Sequence, residues 1–112
     1  MDSLWDKIKQ SLIDSASVAA EKAEYLGKIG RARLDIAETR HAIRDRFADL
    51  GGIVYERLQS DSADNIGEAT DVQGLMDDIS GLESELKSRE DALEQLRKEA
   101  AETGATESEA AE

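Results

Sequence analysis

His41 is the single histidine in this chain of 112 residues, and there is no cysteine. Imidazole is the side chain best suited to moving protons or ligating a metal near neutral pH, but either task needs partner groups held against it. Glu38, three residues earlier, is the carboxylate expected beside it on the same helical face, and at f, the outermost heptad position, the concave pocket that a site needs is not expected. The lack of Cys excludes a disulfide framework, a thiolate zinc site and a cysteine nucleophile. The adjacent acids Asp77 and Asp78 read as a solvated helix face. No glycine loop follows a strand to cradle a phosphate, and no scaffold aligns a serine, a histidine and an acid. The expectation is a non-enzymatic chain with no catalytic, cofactor-binding or metal-binding residue, no cofactor and no small-molecule substrate.

What remains is charge and apolar surface. The formal net charge is −12, and it is unevenly spread. Residues 1–46 carry nine basic and eight acidic side chains, whereas residues 47–112 carry five basic and eighteen acidic ones. Lys28, Arg31, Arg33, Arg40, Arg44 and Arg46 form a basic stretch that a following acidic helix can satisfy by folding back. Nucleic acid is a poor partner for such a chain, because affinity for phosphates comes from Lys and Arg left unneutralised.

Two helical patterns position these charges. From Val72 to Ala100, the residues Val72, Leu75, Ile79, Leu82, Leu86, Leu93, Leu96 and Ala100 recur alternately three and four apart, a heptad seam broken only by Arg89 at a d position. Thr70 and Gln73 have capping-box spacing at its start. Upstream, Ile29, Ile36, Ile43 and Leu50 occupy a, Tyr25, Ala32, Thr39, Arg46 and Ile53 occupy d, and Leu26, Phe47 and Val54 occupy e. Such a stripe is wider than one partner helix can cover. The pattern continues toward the N-terminus through Ala23, Ala19, Ala16, Leu12, Ile8, Trp5 and Leu4, with Ser3 as an expected N-cap. Uninterrupted to about Leu58, this first helix would be ~80 Å long, although Gly27, Gly30, Gly51 and Gly52 each weaken it by roughly 1 kcal/mol relative to Ala.

The fold class is therefore all-α: an antiparallel two-helix coiled-coil hairpin with a long first helix, assembled into a larger helical bundle by oligomerisation. Residues 29–101 form the hairpin, with a polar loop at about 60–70, and residues 102–112 form an acidic disordered tail. Folding about residue 66 pairs Leu50 with Leu82, Ile53 with Ile79, Ile36 with Leu96 and Arg40 with Glu90. Arg46 and Arg89 either enforce register as polar seam residues or lay their stems along the seam toward Glu85, Glu38 and water. Gly51, Gly52, Ser80 and Gly81 fall at similar height and either permit a bend or admit another helix closely.

Residues 1–28 remain as an amphipathic N-terminal extension without an intramolecular partner. Leu4, Trp5, Ile8, Leu12, Leu26, Phe47 and Val54 are the candidate interaction residues. Their expected partner is a helix of a second copy or of another protein, which makes the chain a self-associating scaffold or interaction module. The alternative is a peripheral membrane-surface protein, against which four Lys and five acids in residues 1–30 weigh, since helices lying on anionic lipid carry a basic polar face. No run approaches the ~20 apolar residues of a membrane span, and no secretion signal is evident, so a cytoplasmic location is expected.

The run Leu50-Gly51-Gly52-Ile53-Val54-Tyr55-Glu56, closing a helix that opens with Trp5-Asp6-Lys7-Ile8-Lys9, resembles small bacterial coiled-coil hairpin proteins of uncharacterised function over roughly residues 3–100. Some of these carry a zinc ribbon after the second helix. A chain without Cys departs from them there, so the resemblance implies the hairpin and no zinc role.

Overall fold

A computed structural model describes residues 2–105, and these are helical apart from one connection and one short cap. Helix α1 spans Asp2–Gln59 and helix α2 spans Thr70–Glu102, with a single turn of 3-10 helix, Ile66–Glu68, between them. The two run antiparallel as a hairpin. Gly27, Gly30, Gly51 and Gly52 do not interrupt α1, and a Cβ at any of them would meet open space. Ser3 lies inside the first turn, because the helix already includes Asp2.

The chain divides into two units, one formed by α1 up to Arg33 with α2 from Ala92 onward, the other by Leu34–Asp91. In the second unit Ile36, Thr39, Val72 and Ile79 are buried, and Ile43, Leu50, Ile53, Leu75, Leu82 and Leu86 are half-buried. All are a or d residues, as a two-stranded seam requires. Thr39 is tolerated there because its hydroxyl donates to the Asp35 carbonyl one turn earlier at 2.9 Å.

Ion pairs across this seam include Arg57 with Asp71, Arg46 with Asp78 at 3.7 Å, Arg40 with Glu90 at 3.8 Å, and Arg89 with Asp35 at 3.3 Å. Three place an α1 arginine on an α2 acid, so the uneven charge of the chain is partly neutralised within the hairpin. They also set the register. Leu50 stands at the level of Leu75 rather than Leu82, and Ile36 at the level of Arg89 rather than Leu96, a slide of about one heptad from the expected pairing. Gly74, not Ser80 and Gly81, is thereby brought to the height of Gly51.

The turn explains the slide. Asp61 and Asn65 adopt left-handed backbone, with φ of 52° and 55°. The Ser62 amide donates to the Arg57 carbonyl at 2.9 Å, the six-to-one bond that terminates a helix. Reversal is complete by Asn65, and the 3-10 turn already belongs to the returning arm. The capping box is absent as well. The Ala69 carbonyl accepts the first helical bond of α2, from the Gln73 amide at 2.9 Å, and the Gln73 side chain donates to the Gly67 carbonyl instead of reaching back to Thr70.

In the first unit Ile29, Leu93, Ala100 and Ala105 are buried. α2 ends in a Schellman motif: Gly104 has φ +86°, the Ala105 amide donates to the Ala100 carbonyl at 2.9 Å, and the Gly104 amide to the Ala101 carbonyl at 3.1 Å. The apolar contact that accompanies this motif is supplied by Ala100 and Ala105, both almost fully covered. Residues 102–105 therefore form an ordered helix stop, and most of the expected acidic tail, residues 106–112, lies outside the described residues.

Candidate interaction surface

The helix stop determines where α1 loses its cover. Lys22 arches over Gly104, its Cε 3.5 Å from the point a Cβ would occupy, and is half-buried there. Its ammonium sits at the C-terminal end of α2, where the helix dipole favours a cation. Every residue from Ser3 to Glu21 is exposed. Cover begins about six residues earlier in α1 than the expected limit near residue 28, because the one-heptad slide carries the end of α2 further along α1.

Within the uncovered stretch Leu4, Trp5, Ile8 and Leu12 are 64%, 63%, 44% and 67% exposed. The frame that places Tyr25 at d, Leu26 at e and Ile29 at a keeps its count to Ile8 at a, Leu4 at d, and Trp5, Leu12 and Ala19 at e, with Lys22, Ser15 and Ser11 as polar residues at the intervening a and d positions. The exposed face is thus the same a, d and e stripe that α2 covers further along. Val18, another d residue, and Ile13 are exposed too, and neither was among the expected interaction residues. Continuing the heptad count upstream would have found Val18, whereas Ile13 lies at f, away from the stripe. Val18 lines a shallow groove of ≈ 360 Å³ with Asp14, Ser15, Ala19 and Lys22.

The other candidates differ in setting. Leu26 is half-buried beside the seam of the first unit. Phe47 belongs to the second unit and is exposed, while Val54, in the same unit, is half-buried. Leu34, Tyr55, Leu58 and Met76 of that unit are also exposed. A groove of ≈ 530 Å³ there is lined by Ala48, Gly52, Ile53 and Leu75 with Asp49, Glu56 and Asp71.

His41 is exposed and stands 3.5 Å from Asp45, one turn later, rather than against Glu38. Among the described residues no group of His, Cys, Asp or Glu converges as a metal site would. Arg89 donates from Nη2 to Glu85 at 2.6 Å and pairs through Nη1 with Asp35. The Glu85 hydrogen bond, aided by the charges of Glu85, Asp35 and Glu38 and opposed by partial desolvation, holds this guanidinium above its ordinary pKa. Its stem lies along the seam with the charge at the edge, and Arg46 behaves alike, pairing with Asp49 and Asp78. Exposed ion pairs contribute little, whereas a leucine at a seam position buries apolar area. Arg89→Leu should accordingly raise the melting temperature followed by circular dichroism; a decrease would assign the arginine a net stabilising role.

Comparison of the chain with models of known families, with curated proteins and with solved structures finds no match. Among the described residues no helix is long and apolar enough to cross a membrane.

Proposed function

We propose that this protein is a non-enzymatic scaffold or interaction module that self-associates by helical packing through the N-terminal face of α1. The observation that carries this reading is the seam that outlasts its partner: Leu4, Trp5, Ile8 and Leu12 continue the hairpin stripe over a stretch where every residue is exposed. Coiled-coil stripes are stable when a second helix covers them, and two helices of this size enclose too little apolar surface to be strongly stable alone.

Light scattering over a concentration series tests the reading. The wild type should exceed the 12.2 kDa of one chain as concentration rises. Trp5→Ala combined with Ile8→Ala should weaken association by about 100-fold, as expected when central apolar anchors are truncated, while helicity stays unchanged because both side chains are solvent-facing. A wild type that remains at the single-chain mass at every concentration would overturn the proposal.

The exposed Trp5 also favours a second reading, adsorption to a membrane surface, since an indole beside aliphatic residues suits the headgroup boundary. Flotation with anionic liposomes separates the two. Self-association predicts that the protein stays at the bottom of the gradient, and flotation abolished by the double substitution would transfer this face to lipid.

A further inference from the structure

The uncovered face carries charges whose order points to one arrangement of its partner. In the frame of the seam, Leu4 and Ile8 are large d and a residues, while Ser11 and Ser15 are the small d and a residues that follow. Trp5 and Leu12 flank them on the e side, and Lys7 and Asp14 on the g side. Both charged residues are exposed, and the Asp14 carboxylate accepts a hydrogen bond from Gln10 Nε2 at 3.0 Å, which leaves its second oxygen for another donor.

We propose that residues 4–15 of α1 pair with the same residues of a second copy, antiparallel about a two-fold axis between Lys9 and Gln10. The proposal rests on reading this face as a self-association surface. A two-fold contact is isologous, so each interaction occurs twice. Antiparallel helices set a opposite d, which brings Ile8 against Ser11 of the second copy and Leu4 against Ser15. Every large side chain then meets a small one, the interlocking that fills a seam without voids. Lys7 falls near Asp14 of the second copy and Asp14 near its Lys7, giving two complementary pairs. Trp5 and Leu12 of both copies gather on the opposite flank.

A parallel, in-register dimer lacks these matches. It would stack Ser11 on Ser11 and Ser15 on Ser15, two polar layers in succession, and would set Lys7 beside Leu12 and Asp14 beside Ala19 with no ion pair. The charge pattern is therefore self-complementary in one direction only.

Charge swapping tests the arrangement, with dimerisation followed by analytical ultracentrifugation. Lys7→Asp alone, or Asp14→Lys alone, should weaken the homodimer by about tenfold, because two attractive pairs become two like-charge pairs. Mixing the two single variants should give a heterodimer of wild-type strength, and one chain carrying both substitutions should recover the homodimer. The absence of native Cys allows a second readout: under oxidation Leu4→Cys and Ser15→Cys chains should cross-link to each other and neither to itself. Loss of association in the Trp5 and Ile8 double variant, with no response to the charge swaps or with self-cross-linking at position 15, would overturn the antiparallel pairing while leaving self-association standing. A wild type that stays monomeric at every concentration would overturn both.

Discussion

Replacing Ile29 with alanine should cost about 3 kcal/mol of unfolding free energy, the usual loss for truncating an enclosed aliphatic side chain. Ile29 is the most completely buried large residue among those described, at 1% exposure. It belongs to the unit in which Leu93, Ala100 and Ala105 are also covered. A side chain enclosed this completely leaves a cavity with little room to collapse. Domains of this size are stabilised by roughly 5–15 kcal/mol in all, so the melting temperature should fall by on the order of 15 °C. Urea denaturation followed by circular dichroism measures it. Ile13→Ala is the control: the same deletion at a site 61% exposed should change stability by less than about 0.5 kcal/mol. Similar losses at the two sites would show that Ile29 lacks the enclosure described.

The second large effect has the opposite sign. Gly51 and Gly52 stand in the uninterrupted interior of α1 with open space where a Cβ would project. Each glycine costs a helix about 0.8–1 kcal/mol relative to alanine. Gly51→Ala with Gly52→Ala should therefore add about 1.5 kcal/mol and raise the melting temperature by roughly 8 °C. Gly104→Ala should destabilise instead, by about 1 kcal/mol, because φ there is +86° and a side chain is strained in left-handed backbone. Destabilisation by the Gly51 and Gly52 pair would reveal that another helix approaches this face closely, so the same melts also test the close-approach reading of these glycines.

The hairpin itself was legible from the chain because a three-and-four apolar recurrence is a local property that survives without knowledge of the partner. Arg40 was likewise matched to Glu90 from sequence, and the pair lies at 3.8 Å. The helix stop was missed although its signal was present, a lone glycine just beyond the last seam residue, because the surrounding Ala, Glu and Thr composition reads as a tail. The capping box failed for a related reason. Thr70 and Gln73 have the spacing, but the Gly67 carbonyl offers Gln73 a closer partner, which only the turn geometry brings within reach.

By itself the sequence determined two helices, their seam residues, the attraction of a basic arm for an acidic one, and an apolar stripe running on to Leu4. Tertiary structure decided the register and hence the extent of uncovered surface. Sliding one helix by a heptad keeps every a opposite a d, so the hydrophobic pattern is degenerate to that movement. The degeneracy is broken by a turn with left-handed Asp61 and Asn65 and by ion pairs such as Arg89 with Asp35, joining residues far apart in the chain. Where α2 stops depends on Gly104 turning left-handed beneath Lys22. That contact leaves Leu4, Trp5, Ile8 and Leu12 without cover.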